Sequence, residues 1–212
     1  ERHALGAHFT PRAYVERLVL PTLVEPLRAE WESVRAAALP QARAGDLKKA
    51  REEVNAFHDR LCKVIVLDPA CGCGNFLVIT YRELRLLELE VLRAAYGSGQ
   101  QTLDVHHLIA IDVDQFHGIE IEEFPAQIAQ VALWLIDHQM NLVVGVEFGQ
   151  YFVRIPLKAT PHIVNGNALQ VEWNDVLVAE RCGFVLEGIH RRNMRDPFGG
   201  LRDSCMYARV FD

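Results

Sequence analysis

The sequence predicts an α/β fold: a doubly wound parallel sheet, incomplete at its far end and preceded by helices. Three observations predict it. Short β-branched runs alternate with longer stretches in helical period. The first of these runs ends in an acid and a pair of glycines. The order strand, glycine turn, helix, strand, helix, strand, strand repeats the βαβ pattern.

The elements follow in order. Tyr14, Leu18, Leu23, Leu27 and Trp31 recur at near-helical spacing across residues 12–35, with Pro21 and Pro26 as expected interruptions. Residues 46–60 predict a second helix, opened by Gly45-Asp46. Residues 63–67 (KVIVL) read as a buried strand. Phe76, Leu77, Tyr81, Leu84, Leu87 and Val91 then pattern an amphipathic helix closing near Gly97 and Gly99. Residues 115–121 (QFHGIEI) predict a second strand. The next helix places Ile128, Val131, Ala132 and Leu135 on one face and is read, with Trp134, as core packing. Residues 161–165 and 182–186 predict two more strands, and residues 141–158 an extended excursion. Strands near Val64, Ile119, Ile163 and Phe184 are expected parallel and adjacent. The chain divides into a helical segment at 1–61, a core at 62–186 and an irregular tail at 187–212, rich in Arg and Gly.

Composition narrows the class. The 212 residues are ample for one core, and 22 basic against 28 acidic residues leave a net charge of −6. Free-standing DNA-binding modules are usually basic, so any positive surface here is small or supplied elsewhere. The first residues lack the apolar core of a signal peptide, and the longest apolar stretch, 128–136, is too short to span a bilayer. No membrane association is expected. Cys62, Cys71, Cys73, Cys182 and Cys205 form an odd set, which favours reduced thiols in a cytoplasm. Cys71-x-Cys73 has no second pair at ligand spacing and no HExxH occurs, so no metal site is expected. The chain does not begin with Met, as a piece of a longer polypeptide would not.

The strongest signal is DPACGCGNF, residues 68–76. Gly72 and Gly74 stand where a strand turns into a helix, and without Cβ atoms they let backbone N–H groups approach a ligand. No third glycine completes a dinucleotide fingerprint, and no Lys-Ser/Thr completes a P-loop. Asp68, at the strand tip, suits a positively charged ligand better than a pyrophosphate. S-adenosylmethionine carries both a sulfonium and an ammonium group. The plain alternative, a mere strand-to-helix turn, does not account for nine matching positions in a row.

DPACG-x-GNF resembles the cofactor loop of N6-adenine DNA methyltransferases, including large restriction–modification and phage-defence enzymes; many members have Ser where Cys73 stands. The resemblance implies a Rossmann-like class I methyltransferase core with S-adenosylmethionine as cofactor. It implies cofactor contacts from Asp68, Pro69, Ala70, Cys71, Gly72, Gly74, Asn75 and Phe76. Phe9-Thr10-Pro11, after His8, resembles the family's (Y/F)-T-P element, which covers the methionine part. Gly118-Ile119-Glu120-Ile121 resembles the end of the second strand. A carboxylate at Glu120 can accept both ribose hydroxyls and Ile121 can pack on the adenine, although Glu122 and Glu123 show that acids are common here. Asn167-Ala168 follow the third strand, where the family bonds the adenine amine.

The family's (D/N)-P-P-(Y/F) loop holds the target amine directly after the fourth strand. Here residues 187–192 read EGIHRR, and Asp196-Pro197-Phe198 lacks the second Pro and lies well past the strand. No catalytic residue is assigned. The expectation is the cofactor-binding part of a DNA (adenine-N6) methyltransferase, inactive alone. DNA is the substrate of the complete enzyme, and a recognition domain or second polypeptide comes from elsewhere. Two alternatives stand beside it: a methyltransferase acting on RNA or protein glutamine, and a non-catalytic remnant or cofactor-binding subunit.

Overall fold

The computed structural model describes residues 10–96, 108–148, 161–171 and 176, and the backbone of 190–195, 201–204 and 207–209. Helix α1 (Arg12–Val19) runs through a five-residue π-helical segment, Leu20–Val24, into α2 (Glu25–Arg43). The two prolines act differently from the expected interruptions. Pro21, which has no N–H to give, falls in the widened π turn and Pro26 at the start of α2, and the helix runs on through both. Gly45, at φ 89°, ends α2: its N–H donates to Ala42 O and that of Asp46 to Gln41 O. Asp46 then caps α3 (Leu47–Leu61) by accepting from Lys49 N at 3.1 Å, as Gly45-Asp46 predicted.

Strand β1 (Ile65–Asp68), helix α4 (Asn75–Tyr96), strand β2 (Phe116–Glu120), helix α5 (Glu123–Glu147) and strand β3 (His162–Asn165) follow. The sheet runs β3-β2-β1, all parallel, with Asp68 opposite Gly118 and Glu120 opposite Asn165. This is an incomplete Rossmann-like sheet. Val64, Val66, Phe116 and Ile163 join one core with α2, α3, α4 and α5. Ile65, Leu67, Ile119 and Val164 face the other side, where Val171 and Val176 cover them. Helices α2, α3, α4 and α5 therefore cover the first face, and helical Val176 lies on the second.

Three expectations need correction. Residues 141–147 are not an excursion: α5 continues to Glu147, with Asn141 and Val144 buried. The tail is not wholly irregular. It holds β4 (His190–Arg195) paired antiparallel with β5 (Leu201–Ser204), and β6 (Tyr207–Arg209) paired antiparallel with β1. β6 supplies partners to the outer backbone groups of β1, which a buried strand cannot leave unmet. The fourth strand expected at 182–186 lies outside the described residues.

The third correction concerns the apolar face of α5. Val131 and Leu135 are about half exposed and Ile128 is 36% exposed, on one stripe with Phe124 and Val146. The buried face is Ala126, Ala129, Leu133, Ile136 and Met140, and Trp134 packs partly against the same core. The helix is apolar nearly all round, so its orientation is set by the need for a small residue, Ala129, against the glycine turn.

A polar network holds α4 to its neighbours. Fully buried Arg85 donates to Tyr81 Oη (2.7 Å), Asp137 Oδ1 (3.1 Å) and Asn141 Oδ1 (2.9 Å), and its Nε lies 3.2 Å from Glu88 Oε2. Tyr81 donates to Asp137 Oδ1 at 2.6 Å. Gln115 brackets the strand starts: its Nε2 donates to Cys62 O and Val64 O, and its Oε1 accepts from Asp112 N.

Candidate functional site

Because β1, β2 and β3 are parallel, their carboxyl ends share one edge of the sheet, where ligands of such folds bind. Asp68, Glu120 and Asn165 end these three strands. Asp68 accepts from Ala70 N at 3.1 Å and so starts the turn. Cys71 N donates to Ile119 O at 3.1 Å, tying the loop to β2, and Gly74 N donates to Cys71 O at 2.8 Å. Glu120 grips both sides: Oε2 accepts from Gly72 N at 2.8 Å and Oε1 from Glu122 N at 3.0 Å. Asn165 Nδ2 donates to Glu120 O (3.1 Å) and Ile121 O (3.0 Å), and Gly166 N also reaches Glu120 O at 2.9 Å. The end of β2 is thus clamped from both flanking strands.

The glycines divide the labour. Gly74 has φ 81°, and a Cβ there would stand 3.0 Å from Ala129 Cβ and 3.2 Å from its Cα. Gly118 lies under the loop: its Cβ would meet Cys71 Sγ and Ile163 Cδ1, each at 2.8 Å. Both glycines let elements close. Gly72, at φ 55°, faces open space, with nothing within 4 Å of where its Cβ would be.

The electrostatics are one-sided. Burial pushes the Asp68 carboxyl up to about 6; the Ala70 N–H opposes this and the nearby Glu120 carboxylate adds to it. Among the described residues, no cation contributes to either direction. Burial also raises the Cys71 thiol, which stays neutral. On the far face, His117 stacks on His162 at 4.7 Å, donates from Nδ1 to Val176 O at 3.0 Å, and is pushed down to about 4 by burial and by His162.

Of the residues singled out in the sequence, the structure gathers Asp68 through Phe76 and Glu120 at one edge. Phe9 lies outside the described residues. Thr10 and Pro11 lead into α1, whose Val15 and Val19 pack with Phe76 and Ile79 of α4, so that element approaches the turn. Ile121 is 63% exposed beside it. Asn167 Oδ1 accepts from Leu169 N at 3.0 Å within a turn, and Ala168 packs on the far-face cluster. Sequence reasoning missed Asn165, the clamp on β2, although a polar residue ending a strand was its signal. It also missed the network around Arg85, whose charges sit at helical positions that read as surface.

A parallel sheet with an acid-flanked glycine turn at its carboxyl edge defines an incomplete Rossmann-like fold of the kind that methyltransferases have. This chain belongs to the DNA-methyltransferase domain family of MmeI: residues 44–187 match the family described as "MmeI, DNA-methyltransferase domain". DNA methyltransferase A of Bacillus subtilis (strain 168) is 31% identical over 182 residues, which cover 84% of this chain and 19% of that protein. The adenine-specific methyltransferase PglX of Streptomyces coelicolor is 34% identical over 68 residues, 32% of this chain and 5% of that one. The solved structure of the type IIL restriction-modification enzyme MmeI in complex with DNA superimposes with a TM-score of 0.75 at 57% identity. That match covers 85% of this chain and 22% of MmeI. The chain thus spans about a fifth of MmeI and of the Bacillus protein.

Proposed function

We propose that this chain binds S-adenosylmethionine across the Gly72–Gly74 turn and is the cofactor-binding part of a cytoplasmic DNA (adenine-N6) methyltransferase. One observation carries the reading: Asp68 and Glu120, two carboxylates without an ion-pair partner among the described residues, flank a turn whose Gly72 faces open space. The residues fit a ligand that carries positive charge and a ribose. Asp68 offers a buried negative charge, Glu120 offers two acceptor oxygens, and Gly72 leaves room for close backbone approach. Ile121 presents an exposed apolar surface for a base, and Thr10-Pro11 approach from α1. When bound, the cofactor supplies an electrophilic methyl group.

Adenine as the target is supported by DPACG-x-GNF and by the name of the Streptomyces relative. DNA as the substrate is supported by the MmeI complex. Rate depends on holding the amine in line and stabilising the charge that develops on it. Within these 212 residues no (D/N)-P-P-(Y/F) sequence provides that hold. The chain by itself is therefore expected to bind cofactor and not to methylate DNA. Calorimetry with S-adenosylmethionine, beside transfer of labelled methyl to mixed-sequence duplex DNA, tests both halves. Glu120→Ala should weaken binding at least about tenfold, since each charge-assisted bond is worth about 1.5–3 kcal/mol. Absence of binding by the wild-type chain, or unchanged affinity in the variant, overturns the assignment of the site. Robust N6-methyladenine formation overturns the expected inactivity and points to Asp196-Pro197-Phe198.

A further inference from the structure

We propose that His58, Cys62 and Glu88 form a binding site for one divalent transition metal of the zinc type, fastening α3 to α4. His58 and Cys62 are four residues apart at the end of α3, on the face turned to α4. Glu88 faces them from the middle of α4. The three donor atoms lie within 4.8 Å of one another, and His58 Nε2 is 3.0 Å from Glu88 Oε1. Tetrahedral zinc bonds of about 2.0–2.3 Å set donor atoms roughly 3.3–3.8 Å apart. The widest separation therefore needs to contract by at most about 1–1.5 Å, within reach of side-chain rotation.

The surroundings orient the ligands as outer partners do in metal sites. Ala110 N and Ile111 N donate to Glu88 Oε1 at 2.7 and 3.0 Å, fixing its carboxylate. Gln115 Nε2 holds the carbonyl of Cys62 at 2.9 Å. Glu88 is buried while His58 and Cys62 are partly accessible, so an ion has an approach and a fourth position remains for water. The site also closes α3, whose terminal carbonyls carry partial negative charge. With Cys62 ionised, Cys62 and Glu88 bring two negative charges to the site, and the nearby Arg85 is shared between Glu88 and Asp137. A divalent ion neutralises the two negative charges.

Binding exchanges protons for metal. The Cys62 thiol, which burial, Glu88 and Asp59 push up to about 12, gives up its proton as its sulfur bonds the ion. Without metal, neutral His58 donates Nε2–H to Glu88 Oε1; on binding, that one ring proton is lost to solvent from Nε2 and regained at Nδ1, Nε2 bonds the ion, and the hydrogen bond is replaced by a shared ligand. One proton is released per metal. This differs from the glycine-turn site in location and in donors, and it does not depend on cofactor binding.

Cobalt(II) titration of the purified full chain provides the test, because thiolate coordination gives an absorption band in the near ultraviolet. One equivalent should produce the band, zinc should displace it, and zinc should raise the melting temperature. Cys62→Ser should abolish the band, and His58→Gln should weaken binding at least about tenfold, since even outer-sphere partners cost that much. Cys73→Ser should leave the band intact. Both ligand variants keep Glu88 and its backbone bonds, and their fold is checked by circular dichroism. No band with the wild-type chain, or a band that survives Cys62→Ser, overturns the proposal.

Discussion

The body of α4 and the turn that leads into it differ in how they treat acids. Along the body, Glu88 and the facing Asp137 are buried beside Arg85, a cation within the fold itself. At the turn, Asp68 is also buried, yet among the described residues only one backbone N–H compensates it, and Glu120 adds a second negative charge. Burying an unpaired charge opposes folding, so a fold keeps one where something else will answer it. The contrast separates acids that a cation of the fold answers from acids that no cation among the described residues answers, and spacing along the sequence cannot draw that line.

The contrast is broken most violently at Arg85. Arg85→Met leaves Glu88 and Asp137 buried without a cation, and unfolding in urea should show a loss of about 3–5 kcal/mol. A loss below about 1 kcal/mol would mean that the network is not the structural half of the comparison.

The glycines sharpen the same division. At Gly74, where φ is 81° and an added Cβ would stand 3.2 Å from the α5 backbone, alanine should cost about 2–4 kcal/mol. At Gly72, alanine meets nothing and should cost only about 1–2 kcal/mol in folding, from its positive φ. Its larger effect should fall on S-adenosylmethionine affinity, measured by calorimetry. Equal folding losses at the two positions would erase the distinction.

The last effect concerns pH. The folded Asp68 carboxyl, near 6, stands above its ordinary value near 3.8, so charge burial opposes folding above pH 6 and ceases to do so below about 4. Asp68→Asn should therefore stabilise the chain at pH 8, by at most about 3 kcal/mol, and remove this group's contribution to the pH dependence between 4 and 6. Cofactor affinity should run the other way, falling in the wild type as pH drops through 6. A variant that binds as well as wild type at pH 8 would place Asp68 outside the site.

Much of this was legible in the residues. The strand-turn-helix from Val64 to Val91 carries its signals locally: β-branched residues, then glycines, then one apolar stripe. The strands around Ile119 and Ile163 did likewise. What the sequence hid is set by contacts between distant segments. On α5, Leu133 and Ile136 are no more apolar than Val131 and Leu135; only the approach of Ala129 to Gly74 decides which set is buried. The site's carboxylates were readable, but Asn165 became a clamp only once β3 lay beside β2. Strands as short as β6 have no period to detect, and they exist because an edge of β1 has bonds to give.

Gln115 has a consequence for how the sheet keeps its frame. Its side-chain amide fixes Phe116 opposite Val66 before the strand begins. Sliding β2 by a single residue would turn its alternate side chains to the wrong side of the sheet. Ile119 or His117 would then be pressed where only Gly118 fits beneath Cys71, and Glu120 would withdraw from Gly72. One amide, far from the turn, thus stops the strand from slipping and keeps the carboxylate at its tip in reach.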